Sequence, residues 1–252
     1  YAGVSVATIL SLPLSSYLGH LMGWRNVFLL ASMLGVIMFA WQFAAMPSLP
    51  ARPGSSFRNL FALARRSWVL AGMGGIIFSY GGYHIFFTYL RPFLEQNLAL
   101  RPDVLSGVLL AFGVANCAGT VAAGAVLGRW FRLTLPLVLL AFAGAALLFF
   151  FGAGLALNLF LVLIWGLLFG FVPVGWSAWI ARTLADQAEL AGGLSVAVTQ
   201  FAIGLVAAVG GLTFDAFGIR GIFLIAAAFL VVAALWVRIS FTLYARETGR
   251  LP

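Results

Sequence analysis

The chain has 252 residues, of which 63% are hydrophobic and only 8% are charged, and its mean hydropathy is +1.10. Too little polar material is present to cover a soluble domain, so the composition predicts an integral membrane protein with the lipid bilayer as a partner. The formal net charge of +8 comes from fourteen Arg residues without any Lys, and we interpret these cations as markers of one membrane side and expect no nucleic acid partner.

Eight apolar stretches follow one another along the chain, each of about 20 residues, the length that crosses a bilayer as a helix. They are predicted at 1–21, 26–46, 67–90, 103–127, 133–153, 157–181, 193–217 and 220–242. The sequence therefore predicts an all-α integral membrane protein with eight crossings, followed by a cytoplasmic tail at 243–252.

A ten-residue segment at the start of the second crossing returns near the end of the chain. Residues 22–31 read MGWRNVFLLA, and residues 217–226, 195 positions later, read FGIRGIFLIA, with five of ten positions identical. Both copies place a Gly-x-Arg turn between two apolar runs, which predicts a parallel internal repeat. A half of that length predicts a complete protein of about 390 residues with about four more crossings before this chain. The alternative is two unrelated interfacial turns.

One long connection, residues 47–66, interrupts the series of crossings. Its first part is rich in Pro and Ser and cannot form a regular helix. Its second part places Phe57, Leu60, Phe61 and Ala64 on one helical face between flanking cations, which predicts an interfacial helix. We expect a cytoplasmic linker here. It would join the last two crossings of an N-terminal six-helix bundle (1–46) to a C-terminal six-helix bundle (67–242).

The connecting Arg residues lie mostly on one side of the predicted membrane. Ten fall on the side that holds both chain ends, and four fall on the other side. The positive-inside rule places the larger group in the cytoplasm. The four outer residues are Arg25, Arg91, Arg101 and Arg220.

The third crossing has the richest set of polar and aromatic side chains. Those that share one face at helical spacing are Tyr80, Tyr83, His84, Phe87 and Arg91. Gly81 and Gly82 are expected to loosen the helix at this depth. A flat solute can stack on the rings while the imidazole and the hydroxyls bond its edge, which predicts a substrate site. The alternative is an interfacial aromatic belt with a packed histidine.

The sixth crossing offers a second set of candidate substrate ligands. Trp176 and Trp179 are neighbours on a helix and follow Pro173 and Gly175, where a kink and a freed carbonyl are expected. A broken helix beside a cavity points to a substrate site in transporters. The alternative is an aromatic belt at the inner membrane surface, because Arg182 follows closely.

Two amides and several charged residues complete the candidates. Asn116 in the fourth crossing and Gln200 in the seventh lie far from the ends of their spans and need partners, either a substrate or a neighbouring helix. Asp215 shortly before Arg220 predicts a local ion pair or a turn cap. Candidates for a gate or an interfacial anchor are Arg25, Arg91, Asp215 and Arg220.

Small residues recur at intervals of four in the fourth and sixth crossings. Gly119, Gly166 and Gly170 belong to these rows. Small side chains at this spacing allow helix backbones to approach closely in lipid. We expect tight packing between these helices, and the same glycines would permit one bundle to rock against the other.

The ionisable residues exclude most enzyme chemistry. All six acidic residues fall at or beyond the ends of the crossings, so the proton-coupling candidate in this chain is His84, whose imidazole titrates near neutral pH. A single Cys117 and two distant histidines predict neither a disulfide nor a metal site. A membrane enzyme would need a nucleophile, a metal cluster or a buried acid pair. We expect no enzyme activity, no cofactor and no metal.

Three stretches of the sequence carry a resemblance to a known family. They are residues 13–19 with 23–28, residues 87–92, and residues 172–177 with 179–189. The chain resembles the last eight of twelve crossings of a major facilitator superfamily transporter. Within this superfamily it is similar to the purine ribonucleoside, sugar and drug efflux members of the drug/proton antiporter group. It departs from that group's Gly-Pro signature with Leu12-Pro13 and Ser15-Ser16.

The resemblance implies a secondary active transporter of the bacterial inner membrane, with alternating access, that acts as a monomer. The expected partners are protons and a small-molecule substrate, a purine ribonucleoside exported by proton antiport. The polar and aromatic candidates above agree with a neutral, flat solute, since they include no buried charge. Export of a sugar or a drug by the same fold is one alternative. A truncated, inactive remnant of a transporter is the other.

Overall fold

The computed structural model describes residues 2–47, 57–152 and 154–250, and these residues are almost entirely α-helical. The first part of the predicted linker, residues 48–56, lies outside the described residues. The helices are α1 (Ala2–Met22), α2 (Trp24–Ala45), α3 (Phe57–Ala64), α4 (Ser67–Pro92), α5 (Pro102–Phe151), α6 (Leu155–Thr183) and α7 (Ala188–Thr248). A π-helical turn, Phe93–Asn97, extends α4.

The two longest helices are each divided by one residue with non-helical backbone angles. α5 breaks at Trp130 (φ −128°, ψ 33°), and α7 breaks at Gly218 (φ 64°, ψ −162°). We name the resulting parts α5a (102–129), α5b (131–151), α7a (188–217) and α7b (219–248). With α1, α2, α4 and α6 they make eight long helical segments among the described residues, one for each predicted crossing, and the predicted all-α fold is confirmed. In the part of the chain that the structure describes, five continuous helical stretches are long and apolar enough to cross a membrane, judged by length and composition.

The two copies of the repeated segment form the same backbone feature. Gly23 has a φ of 79° and Gly218 a φ of 64°, values in the left-handed region that favours glycine. In each copy the glycine separates two helices, and Arg25 or Arg220 follows two residues later. The repeat noticed in the sequence therefore corresponds to a repeated turn.

The helices pack in a defined order around a core rich in aromatic residues. α4 packs mainly against α7, α5 packs against α6 and α7, and α1 packs against α5 and α2. α2 has no buried residue among those described, and its outer surface is apolar, as expected for a helix that faces lipid or further helices. The bundle of α4 to α7 therefore contains most of the core.

The glycines of α4 are slots for bulky side chains of the neighbouring helices. A Cβ atom added at these positions would collide with the facing side chain. The facing pairs are Gly72 with Trp179, Gly74 with Trp236, Gly75 with Trp176, Gly81 with Phe229, and Gly82 with Leu230. The prediction that Gly81 and Gly82 loosen the helix is wrong, because α4 is helical through both positions and the missing side chains make room for α7b.

The predicted break in α6 is also wrong. α6 is helical from Leu155 to Thr183, with Pro173 in its interior. A proline removes one hydrogen bond, but neighbouring helices in a membrane bundle can hold the remaining turns in place. Here Gly175 lies against Leu135 of α5b, and Trp176 lies against Gly75 of α4, so both sides of the turn after the proline are packed.

The helix predicted in the second part of the long connection is present as α3. It contacts α4 and α7. Its most buried side chain is Leu63, which is 1% exposed, whereas Phe61 is 67% exposed. The contact face is thus rotated toward Leu63: Leu60 and Ala64 of the predicted face are half-buried, and Phe61 is exposed.

The small-residue rows bring α5a and α6 into backbone contact, as their spacing predicts. Gly119 faces the backbone carbonyl of Leu167, and Gly166 faces the backbone carbonyl of Phe112. Gly170 faces the backbone of Asn116 and Thr120. At all three positions the neighbour is main chain, so no side-chain rotation could make room for a methyl group.

Candidate functional site

Seven ring side chains from four helical segments meet inside the bundle, and we name them the aromatic cluster. The members are Tyr80, Tyr83, His84 and Phe87 of α4, Phe112 of α5a, Phe142 of α5b and Phe169 of α6. All four members from α4 were predicted from their spacing on one helical face. The structure adds the three phenylalanines, which sequence reasoning missed.

The α4 members form a compact row of rings. The ring centres of Tyr83 and His84 are 4.5 Å apart, and those of Tyr80 and His84 are 5.9 Å apart with nearly parallel planes. Tyr80 and Tyr83 are separated by 5.2 Å. These distances are typical of interacting aromatic pairs, so the row presents continuous ring surface next to the imidazole.

Phe169 of α6 joins this row to the other helices. Its ring lies edge-on to Tyr83 at 4.5 Å and at 5.7 Å from His84. It is also 5.3 Å from Phe87 and 5.9 Å from Phe112. One signal in the sequence could have indicated Phe169: it precedes Trp176 by seven residues, two helical turns, and so lies on the same face of α6.

The cluster has a buried base and a partly accessible rim. Tyr83 is 1% exposed, and Phe112 and Phe142 are 0% exposed. Tyr80, His84, Phe87 and Phe169 are half-buried, and we name these four the rim. The rim rings are therefore the part of the cluster with accessible surface, and the base packs behind them.

The imidazole of His84 lies in a setting with few polar groups. The backbone of Tyr80 lies near the imidazole, one turn earlier in α4. The buried Nδ1 atom of His84 has no hydrogen bond of good geometry among the described residues. Asn116 of α5a is 4% exposed, and its backbone carbonyl accepts a hydrogen bond of 3.0 Å from Thr120. A substrate-binding role for the Asn116 amide stays a prediction.

Trp176 and Trp179 lie in the contact between α6 and α4. They are 2% and 0% exposed. Trp176 Nε1 donates a hydrogen bond of 2.9 Å to Ser79 Oγ, and Trp179 lies edge-on to Trp68 at 6.0 Å. Both rings fill glycine slots of α4. Their structural surroundings are those of packing residues, and a role in substrate binding stays a prediction.

Gln200, Asp215 and Arg220 of α7 lie on exposed faces. Of the two predicted roles of Asp215, the ion pair with Arg220 is not formed: the ion pairs among the described residues are Arg91–Glu95 and Arg101–Asp103. The turn at Gly218 separates Asp215 from Arg220 and has its own left-handed backbone. A binding role for Gln200 stays a prediction.

Arg91 lies where α4 meets the first copy of the repeated turn. Its Nε atom donates to Glu95 Oε1 at 2.8 Å. Arg91 also lines a groove of about 640 Å³ together with Gly23, Trp24 and Phe28. The guanidinium of Arg25 lies 4.7 Å from the ring centre of its neighbour Trp24. Two of the predicted gate residues are thus at or next to one groove, between the α1–α2 pair and α4.

Comparison with known proteins adds two findings. Residues 1–194 match the family model described as Major Facilitator Superfamily. The chain is also 42% identical over 238 residues to proteins named "Purine ribonucleoside efflux pump NepI" from Salmonella paratyphi B, Salmonella enteritidis and Salmonella typhimurium. The matched region is 94% of this chain and 60% of each of those proteins, so the chain spans less than two thirds of their length.

Proposed function

The chain belongs to the major facilitator superfamily and is a multi-pass membrane protein, and we propose that it forms part of a secondary active transporter that exports a purine ribonucleoside. The observation that carries the proposal is the rim of the aromatic cluster, formed by Tyr80, His84, Phe87 and Phe169. The Salmonella proteins that are 42% identical to this chain over 238 residues are named as purine ribonucleoside efflux pumps, which supports a purine ribonucleoside as the substrate.

The chemistry of the rim matches a purine better than a charged solute. Purine bases are flat and present hydrogen-bonding groups at their edges, so their faces can stack on Tyr80 and Phe169 while an edge bonds His84. A ribose adds neutral hydroxyls. An anionic substrate would call for a cavity-facing Arg, and an organic cation for a buried acid; the cluster contains neither.

Nucleoside retention in cells tests the substrate class. Bacteria that express the longest reading frame containing this chain should accumulate less labelled inosine than cells with an empty vector, and should tolerate a toxic purine nucleoside better. A labelled arabinose or galactoside analogue serves as the comparison solute. Equal inosine retention with faster loss of the sugar analogue would assign the protein to sugar export. Equal retention of every solute would support the inactive remnant.

We propose His84 as the residue of this chain that takes up and releases the coupled proton. Glutamine keeps a similar volume and hydrogen-bonding capacity but cannot take up a proton near neutral pH. His84→Gln should therefore weaken the dependence of the inosine efflux rate on external pH. Efflux in inverted vesicles with an imposed pH gradient measures this. A pH profile equal to that of the unchanged protein would place proton coupling outside this chain.

We also propose that both described ends face the cytoplasm and that Arg25 and Arg91 act at the outer gate. The excess of Arg residues on one side supports this orientation, and the groove between Arg91 and the Gly23 turn supports a gate at the opposite side. In a Cys117→Ser background, Leu155→Cys should react with an impermeant maleimide from outside the cell. Ser55→Cys should react only after the membrane is opened. Labelling of both from one side would contradict the orientation.

A further inference from the structure

A second groove lies at the end of the bundle opposite Arg91, where α5 breaks and α6 ends. It has a volume of about 760 Å³ and lies between α5b, the end of α6 and α7b. Its charged lining consists of four arginines: Arg129, Arg132, Arg182 and Arg238. None of the four pairs with a carboxylate among the described residues, and no acidic residue lines the groove. Four gathered cations without an acid favour an anionic occupant.

One of these arginines is held in place by the protein. Arg182 Nη2 donates hydrogen bonds to the backbone carbonyls of Leu127 (3.0 Å) and Gly128 (3.1 Å) at the end of α5a. Its guanidinium also lies 4.8 Å from the ring centre of Phe131. Carbonyls at the C-terminal end of a helix attract cations. This contact fixes one guanidinium at the floor of the groove and leaves the other three for a ligand.

The remaining wall of the groove is apolar and continuous with the outer surface of the bundle. Leu133 and Leu137 of α5b are 60% and 58% exposed, and Leu235 of α7b is 56% exposed. Leu140 and Val231 continue this wall, and Trp130, 60% exposed, lies at the level of the arginines. Tryptophan is enriched where the hydrocarbon meets the headgroups, so the groove passes from a basic end, at the arginines, to an apolar wall that faces lipid.

We propose that this groove is a binding site for an anionic phospholipid of the membrane leaflet on the basic side. The phosphate of the headgroup binds Arg129, Arg132 and Arg238, since one guanidinium group can donate two parallel hydrogen bonds to phosphate oxygens. An acyl chain lies along Leu133, Leu137 and Leu235. Basic pockets between membrane helices on the cytoplasmic side recognise acidic lipid headgroups in this way. A free anion would contact only the arginines of the groove and would leave its apolar wall uncovered.

Lipid binding by the purified full chain tests the proposal. We expect phosphatidylglycerol to remain bound in native mass spectrometry while phosphatidylcholine dissociates. Arg132→Gln with Arg238→Gln should weaken phosphatidylglycerol binding about 25-fold, because each cation near an anionic surface contributes about fivefold. The matched control is Arg101→Gln with Arg246→Gln, two exposed arginines outside the groove, which should change binding less than twofold. Equal loss in both variants, or equal binding of the two lipids, would overturn the proposal.

Two further measurements distinguish a lipid from a free anion and remain valid if the double variant folds poorly. Inorganic phosphate at millimolar concentration should not displace phosphatidylglycerol from the unchanged protein; displacement would indicate a simple anion site. Phosphatidylglycerol with brominated acyl chains should quench part of the tryptophan fluorescence, and Trp130→Phe should remove that part. Quenching that is unchanged in Trp130→Phe would place the lipid elsewhere and overturn the proposal.

Discussion

Gly119→Ala should lower the melting temperature of the detergent-solubilised protein by about 6–12 °C. An added methyl group in a packed contact costs about 1–3 kcal/mol, and each kcal/mol shifts the melting temperature of a chain of this size by about 2–4 °C. The expected cost is at the upper end because the facing atom is the backbone carbonyl of Leu167. α5a and α6 would have to separate along their contact. Size-exclusion chromatography after heating measures the remaining folded fraction.

The matched control for this prediction is Gly124→Ala on the same helical segment. Gly124 has no heavy atom within 4 Å of an added Cβ, so alanine there should leave the melting temperature unchanged or raise it slightly through better helix propensity. Gly170→Ala is an independent second case, since its neighbours are the backbone atoms of Asn116 and Thr120. Equal melting temperatures for Gly119→Ala and Gly124→Ala would show that α5a and α6 are not in backbone contact.

Phe169→Ala should reduce the rate of inosine efflux by about tenfold or more. The ring contacts Tyr83, His84 and Phe87, and an aromatic pair contributes about 0.5–1.5 kcal/mol beyond the area it buries. Losing the ring removes one stacking surface for a purine and frees the rings around it to turn. Initial efflux rates at several inosine loads would show a weaker apparent affinity as well as a lower maximal rate.

Phe160→Ala is the control for Phe169→Ala, because Phe160 is on the same helix but is 56% exposed on its outer face. It should transport inosine at the rate of the unchanged protein. Phe169→Tyr keeps a stacking surface and should restore most of the activity. If Phe169→Ala and Phe160→Ala have equal rates at equal membrane abundance, the rim of the aromatic cluster is not the purine site.

Several features of the fold could be predicted from local properties of the chain. Runs of about 20 apolar residues specify helices in lipid because backbone groups there must bond within their own segment. Gly23 and Gly218 could be recognised as turns because the segments around them repeat, and both adopt the left-handed backbone that glycine favours. The α4 face with Tyr80, Tyr83 and His84 follows from helical spacing alone.

The remaining features depend on which helix faces which, and single-helix patterns contain no such information. The pairing of Gly75 with Trp176 and of Gly82 with Leu230 requires the crossing of α4 with α6 and α7b. The same crossings keep α6 helical through Pro173, where the sequence predicted a break, and bury Trp176 and Trp179 against α4.

The sequence by itself thus determined the all-α membrane fold with its succession of apolar helices, the turn repeated at Gly23 and Gly218, and four of the seven members of the aromatic cluster. Only the tertiary structure brought Phe112, Phe142 and Phe169 to that cluster, and gathered four arginines from α5, α6 and α7b around one groove. The physical reason is that hydrophobic length and helical period act within a segment. Contacts between segments far apart in sequence are decided by how small and bulky side chains interlock.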